Sequence, residues 1–326
     1  MQVEKNLSLL KLRLSMLGTL AIIIGASTAF FALILSLFES LNIILLVILV
    51  ASFNIIQWLF APHLIKALYK VKEVKYEDSP RLYSIVEQLS IKSGIKLPKI
   101  GISNISIPNA FAYSSPITGS HVAVTRGLLD TLDEEEIEAV LGHELGHLKH
   151  KDVQIMMVAS FLPSLCYIIA RSALFSSLYG GRREKGSSAT ILIGVIGMLA
   201  YWVLTMFSLG LSRLREYYAD RHSATIVDDG ARKLSEGLAK IVAQTANMKK
   251  RRQREAVSFN SFKALFISDP DRAESDARQI ACLTSDQELV QKVLTKKLTT
   301  IDRFMELFSS HPNIIKRLKA LQSLRS

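Results

Sequence analysis

The stretch Leu141 to Asp152, LGHELGHLKHKD, places His143, Glu144, His147 and His150 within eight residues. In an α-helix, residues four apart share a face about one turn along the axis. His143 and His147 can therefore direct ring nitrogens at one cation. Glu144 is rotated about 100° from His143, too far round to join easily as a third ligand but placed to reach a water held by that cation. In the H-E-x-x-H arrangement a metal acidifies the water, the glutamate takes its proton, and the resulting nucleophile attacks a polarised carbonyl. The competing explanation is a polar helix face that happens to carry histidines.

Three features weigh against that explanation. Gly142 and Gly146 are also four apart, on another face. Together they cost roughly 2 kcal/mol of helix propensity against alanine, which close approach of another backbone would explain. Ile137, Val140, Leu141, Leu145 and Leu148 form a broad apolar face beside the histidines, so the stripe lies at the edge of a core. The third feature is a partner ligand, because a catalytic zinc wants three protein ligands and an open position. His150 turns away from His143 and His147. A third histidine six residues past His147, preceded by a glycine at 150, is excluded, since those positions hold Val153 and His150. Farther on, LSRLREYYAD offers Glu216 and Asp220, four apart on one helix face. The expected ligands are His143, His147 and Glu216, with Asp220 accepting a hydrogen bond from a ligand imidazole. The plainer alternative for Glu216 is a juxtamembrane charge paired with Arg213 or Arg215.

The elements that must position these residues include much apolar sequence. Of the 326 residues, 49% are hydrophobic, and the mean hydropathy is +0.26. The excess lies in four runs, Met16–Leu37, Leu41–Phe60, Val153–Phe175 (interrupted by Arg171) and Ile191–Leu211, each near the ~20 residues that cross a bilayer. The first continues too far, and is followed too closely by the second, to read best as a cleaved signal peptide. The net charge is +11, with basic residues at Lys5, Lys11 and Arg13 before the first run and at Lys66, Lys70, Lys72 and Lys75 after the second. That asymmetry places the N-terminus and the segment from about Ala61 to Asp152 in the cytoplasm. It also accounts for much of the excess charge without nucleic-acid binding. Arg182, Arg183 and Lys185 dissent, because this topology puts their loop outside. Either the loop translocates despite its charge, or the third and fourth runs do not fully span. Two cysteines, Cys166 and Cys282, support neither a disulfide framework nor a thiolate metal cluster.

Four segments result: an N-terminal transmembrane hairpin over 1–60, a first half of the catalytic domain over 61–152, a second hairpin over 153–212, and a second half over 213–326. In the first half, Ser79 and Pro80 start a helix with Leu82, Ile85, Val86 and Leu89 at helical spacing. PKIGIS, NAFAYS and HVAVT read as a small sheet. Asp133 and Glu136 open the site helix, which should run from about Glu134 past His147. The last segment reads mostly as helices. Its cluster Lys249, Lys250, Arg251, Arg252 and Arg254 is either a solvated face or a membrane-surface contact.

These motifs resemble the HtpX-type membrane metalloproteases, relatives of the prenyl-protein CAAX endopeptidases. The resemblance covers nearly the whole chain and rests on NAFAYS, TRGLLDTLDEEEIEAVLGHELGHLKHKD, SRLREYYAD, ALFISDP and HPNIIKRLKAL. It implies a mainly α, α+β protein with about four transmembrane helices and a cytoplasmic zincin-like domain containing a small β-sheet. It further implies a gluzincin-type endopeptidase holding one Zn2+ per chain on His143, His147 and Glu216, with Glu144 as general base. The expected partners are the lipid bilayer and misfolded or damaged membrane proteins, in the cell membrane with the site facing the cytoplasm. By the same resemblance the strand around Asn109, Ala110, Phe111 and Ala112 pairs with substrate backbone, and His311 and Arg317 pack near the site. His311 is either an oxyanion stabiliser or a packing histidine before Pro312. His121 and His222 are expected to be structural, and His63 has no assigned role. Nitrogen and oxygen ligands would also accept cobalt or manganese in vitro. The alternative to an enzyme is a catalytically silent zinc-binding scaffold or substrate receptor. A transporter is disfavoured, since only Arg171 lies inside the runs. Self-cleavage within Lys249–Ser261 is a further expectation.

Overall fold

The computed structural model describes residues 43–179, 188–252, 286–295 and 298–324. The run Met16–Leu37, the basic residues Lys5, Lys11, Arg13, Arg182, Arg183, Lys185 and Arg254, the motif ALFISDP, Cys282 and the end of Lys249–Ser261 lie outside them. The elements run in the order α1 (Ile43–Leu68), β1 (Val71–Glu73), α2 (Pro80–Ser93), β2 (Lys99–Ser103), β3 (Ala110–Ser115), β4 (Gly119–Thr125), α3 (Arg126–Thr131) and α4 (Glu134–Lys149). Then come α5 (Asp152–Tyr179), α6 (Ser188–Ile226), α7 (Gly230–Arg252), α8 (Asp286–Thr295), α9 (Thr300–Glu306) and α10 (Ile314–Gln322). The fold is thus mostly helical with one small mixed sheet.

The described residues divide into two compact units. One takes the chain through Leu59, Asp152–Arg215 and Leu307–Ser310. The other takes Phe60–Lys151, Glu216–Glu306 and the chain from His311.

In the first unit, α5 and α6 meet through small residues. A Cβ on Gly197 would stand 2.9 Å from the Ala170 Cβ, and one on Gly194 would stand 2.6 Å from the Leu174 Cγ. Such contacts let the two helix backbones approach closely. Arg215 closes the unit's end by pairing with Asp152 at 3.0 Å. Apolar side chains cover much of α6 and remain exposed, among them Ile191, Leu192, Ile193, Ile196, Leu199, Trp202, Val203 and Phe207. Among the described residues, Thr190–Ile226 is the one helical stretch long and apolar enough, by length and composition, to cross a membrane.

In the second unit, a four-stranded sheet in the order β1-β2-β4-β3 carries helices on one face. β2 and β4 run parallel, while β1 and β3 are antiparallel to their neighbours. The expected strands are all present. The sheet gains β1, a three-residue strand with one buried side chain, too short for alternation to announce. Ile100, Ala110, Val122 and Val124 face a core filled by Leu82 and Val86 of α2, Val140, Leu141 and Leu145 of α4, Leu234 and Leu238 of α7, and Leu318 of α10. The opposite face holds Tyr69, Val71, Phe111, Tyr113 and Ala123.

Local chemistry sets the boundaries. Pro80 opens α2, and Gly94 closes it at φ 67° in the left-handed region. The Thr125 hydroxyl caps α3 by accepting from the Leu128 N–H at 3.1 Å. At the start of α4 the Glu136 carboxylate accepts from the Asp133 N–H at 2.9 Å, completing the expected capping box.

Candidate metal centre

The helix α4 presents His143 and His147 on one face, with their Nε2 atoms 3.2 Å apart. The far end of α6 supplies the other side. The Glu216 carboxylate places Oε2 3.6 Å from His143 Nε2 and Oε1 3.7 Å from His147 Nε2. Donor atoms about 2.0–2.1 Å from a tetrahedral zinc are about 3.3 Å from one another. Two neutral imidazoles and one carboxylate at this spacing therefore fit a small divalent cation. Donor atoms of His143, Glu144 and His147 also lie within 4.8 Å of one another.

Two helices reach this distance because α4 lacks side chains where they touch. A Cβ on Gly146 would stand 3.1 Å from the Ala219 Cα and the His222 Cβ. One on Gly142 would stand 3.1 Å from the Ser223 hydroxyl. That hydroxyl donates to the Ala139 carbonyl at 2.5 Å, locking the helices in register. The glycine spacing thus matches Ala219 and Ser223, themselves four apart on α6, a second interval of small residues that the sequence carries in plain view.

Asp220 stands one turn beyond Glu216. Its Oδ1 is 2.9 Å from His143 Nδ1, so that nitrogen donates and the Nε2 lone pair faces the carboxylate of Glu216. Burial holds the His143 pKa below its ordinary value, against the pull of Asp220, the direction that favours the neutral ring that metal ligation would require.

Arg317 on α10 is almost fully buried. It donates from Nε to Asp220 Oδ2 at 2.9 Å and from Nη2 to Oδ1 at 2.6 Å, while Nη1 lies 3.1 Å from Glu216 Oε2. Burial opposes its charge, but the two carboxylates prevail and its pKa is raised. One permanent cation therefore serves both acids of α6. Within the other unit, Arg213 and Arg215 bond the Ser309 carbonyl and Asp152 respectively, so the alternative pairing expected for Glu216 is met by Arg317 instead.

His311 Nδ1 lies 3.5 Å from Glu216 Oε1. Its loop is braced by Glu306, a buried carboxylate that accepts from the Asn313 N–H at 3.2 Å and also bonds the Lys316 ammonium. Nothing in the sequence marks Glu306 for this role.

Glu144 is buried between α4 and β3. Burial raises its pKa to about 7. His147 lowers it, Glu216 raises it, and the Ala112 N–H, donating to the carboxylate, lowers it. β3 is the end strand of the sheet, and among the described residues no strand pairs with its other side. The Thr125 N–H donates to the Asn109 carbonyl, so ladder alternation turns the backbone of Phe111 and Tyr113 toward β4 and that of Ala110, Ala112 and Ser114 toward the open side. Asn109 is itself buried, its N–H on the Thr125 hydroxyl at 2.8 Å. The Phe111 ring packs with Tyr69 at 4.8 Å on the face away from α4.

The remaining histidines lie apart from this cluster. His150 caps the end of α4 and meets the rings of Tyr218 and His222. The His222 ring bonds the Ser93 hydroxyl at 3.0 Å. His121 stacks on Tyr113 at 4.8 Å, and His63 lies beside Phe60.

The profile described as "Peptidase family M48" matches residues 77–325. The chain is 36% identical to the protease HtpX homolog of Thermoplasma acidophilum over 290 residues, 87% of each chain. It is 35% identical to that of Thermoplasma volcanium over 326 residues, 99% of this chain and 97% of the relative. For the homolog of Aeropyrum pernix the identity is 37% over 287 residues, 86% of each. Among solved structures, Ste24p of S. mikatae shares the fold with a TM-score of 0.54 at 18% identity. The match covers 93% of this chain and 64% of that one, so the chain spans just under two thirds of that structure's length.

Proposed function

The chain belongs to peptidase family M48 as a metalloprotease of the HtpX membrane type, and from that premise we propose a zinc endopeptidase that cuts misfolded or damaged membrane proteins. The carrying observation is the mutual spacing of His143 Nε2, His147 Nε2 and the Glu216 carboxylate, 3.2–3.7 Å. Those three side chains would hold one zinc. When bound, zinc supplies a Lewis acid that acidifies water and polarises the scissile carbonyl.

The protein's own groups do the rest. Asp220 fixes the His143 tautomer, and Arg317 holds Asp220 and Glu216 in place. Glu144 takes the proton of the attacking water at its carboxylate and returns it to the leaving amine. A substrate segment adds to the open side of β3, where the Ala112 carbonyl and the backbone of Ala110 and Ser114 offer strand hydrogen bonds, the Ala112 N–H being engaged by Glu144. Main-chain pairing of this kind reads extended conformation rather than sequence, which suits unfolded segments. His311, 3.5 Å from Glu216, donates to the developing oxyanion.

The second reading of the apolar runs is a multi-pass arrangement of four spans, including Met16–Leu37, with the site toward the cytoplasm. The exposed apolar side chains of α1, among them Ile44, Ile48, Ile55 and Ile56, support it, as do the flanking lysines.

The experiment compares wild type with Glu144→Gln, both purified in detergent and supplied with zinc, on unfolded casein and on the protein itself. Cleavage by wild type alone is expected. Equal cutting by both removes Glu144 as the base, and zinc binding with no cutting by either leaves the silent scaffold.

A further inference from the structure

Glu306 is an acid where its own helix offers no reason for one. It is the last residue of α9, and a carboxylate in the last turn opposes the helix dipole. Its apolar neighbours Met305 and Leu307 are exposed, yet Glu306 itself is buried. What it meets there is the start of α10. Its Oε1 accepts from the Asn313 N–H at 3.2 Å, and its Oε2 takes the Lys316 ammonium.

Asn313 is the N-cap of α10, its side-chain oxygen accepting from the Ile315 N–H at 2.9 Å. The backbone N–H of an N-cap residue is commonly taken by a Glu or Gln three positions on. Here that position is Lys316, which has no acceptor to offer. Glu306 supplies the missing carboxylate from a separate helix, and the lysine turns to pair with it. The Asn313 carbonyl accepts from the Lys316 and Arg317 N–H groups at 2.9 and 3.2 Å, so its backbone is held on both sides. Arg317 in turn ties α10 to Asp220 and Glu216.

His311 is two residues back. Pro312 has one fixed backbone angle, and the residue before a proline is confined to extended conformations. Few torsions separate His311 from Asn313, so fixing one places the other. Glu306, Asn313 and His311 lie in the same compact unit as Glu216, and His311 Nδ1 stands 3.5 Å from Glu216 Oε1. Cohesion alone explains the bracket poorly. Lys316 is 39% exposed, and a buried carboxylate with such a partner is often no more stabilising than an apolar side chain.

We propose that Glu306 is a positioning residue for the reaction: by holding the Asn313 N–H it sets the place of His311 beside Glu216, where the imidazole meets the developing oxyanion. The inference rests on the oxyanion reading of His311 given above. Its active feature is the oxygen acceptor rather than the charge, because the Asn313 N–H needs only an acceptor.

The test measures kcat and KM of the full-length, zinc-supplied protein in detergent on labelled unfolded casein. Glu306→Ala should lower kcat about 10- to 100-fold, the scale of a misplaced group or a lost oxyanion donor, with KM and zinc stoichiometry near wild type. Glu306→Gln keeps an oxygen for the Asn313 N–H and should restore most of kcat. The double variant of Glu306→Ala with His311→Ala should be no slower than His311→Ala, since both changes remove one function. Asp302 caps the other end of α9 by accepting from the Thr299 N–H and hydroxyl at 2.9 and 2.8 Å. Asp302→Ala should therefore lower the melting temperature without lowering kcat. Should Glu306→Ala not fold, Glu306→Leu fills the space without an acceptor and carries the same expectation. Wild-type kcat in Glu306→Ala beside a slow His311→Ala overturns the positioning role and leaves the oxyanion reading standing. Wild-type kcat in His311→Ala overturns both, as does a wild-type protein that does not cut. The positioning role also falls if Glu306→Gln is as slow as Glu306→Ala, if the double variant is slower than His311→Ala, or if Asp302→Ala loses as much kcat.

Discussion

Arg317 grips Asp220 through two hydrogen bonds, Nε to Oδ2 at 2.9 Å and Nη2 to Oδ1 at 2.6 Å, while its third nitrogen lies 3.1 Å from Glu216 Oε2. All three side chains are buried. Removing the cation leaves two acids in low dielectric with no permanent positive neighbour. Arg317→Ala should therefore cost about 3–5 kcal/mol of stability. Arg317→Lys should recover little, because one ammonium cannot reproduce the fork. Thermal unfolding in detergent measures both. A melting temperature unchanged in Arg317→Ala would show that the pair is not structural.

Metal content separates the roles along α6. Glu216→Ala should lose stoichiometric zinc after dialysis, because only His143 and His147 remain. Asp220→Asn keeps all three ligands and disturbs only the orientation of His143, so its zinc affinity should fall about 10- to 100-fold. Elemental analysis and a competing chelator distinguish these outcomes. Equal loss in the two variants would make Asp220 a ligand rather than an orienting group.

Glu144 makes the metal-free protein sensitive to pH. Burial raises its folded-state pKa from 4.5 to about 7. With its carboxyl pKa raised from 4.5 to about 7, the protein keeps full stability below about 4.5, where both states are protonated, and loses it as pH rises from there through 7. The loss approaches about 3 kcal/mol above neutrality. Glu144→Gln carries no such loss. After chelation the variant should be the more stable protein at pH 8, with the advantage vanishing near pH 4. Denaturant titrations at the two pH values provide the check, and parallel stability profiles would contradict the assignment.

Gly146 sets the distance between α4 and α6. A Cβ at this position would meet the Ala219 Cα at 3.1 Å, and backbone cannot step aside as a flexible side chain does. Gly146→Val adds two methyl groups beyond that contact and should cost about 1–3 kcal/mol. It should also weaken zinc binding by separating Glu216 from the histidines, a loss that a surface helix change such as Lys149→Val would not cause. Wild-type zinc affinity in Gly146→Val would mean that the helices adjust without moving the site.

The site is legible where chemistry follows from local spacing. His143, Glu144 and His147 follow from helical geometry alone, and Glu216 with Asp220 from a second four-residue interval at the end of an apolar run. The capping box at Asp133 and Glu136, the Pro80 start and the three longer strands likewise come from short-range rules that the folded chain keeps. Arg317 and His311 are reached through family resemblance rather than through any property of their neighbours. The strand β1 and the brace at Glu306 leave no local trace, because three residues carry no periodicity and a lone glutamate carries no pattern.

The sequence by itself therefore determined which atoms could bind and move a proton, since those are properties of residue type and helical repeat. Only the tertiary structure decided that a carboxylate 69 residues beyond His147 comes within 3.7 Å of it, that one arginine neutralises both acids of α6, and that Glu306 faces inward while its apolar neighbours face out. These are facts about how separate helices pack. Packing is fixed by the summed fit of surfaces distant in the chain, such as Gly142 and Gly146 against Ala219 and Ser223, and no local interval encodes that sum.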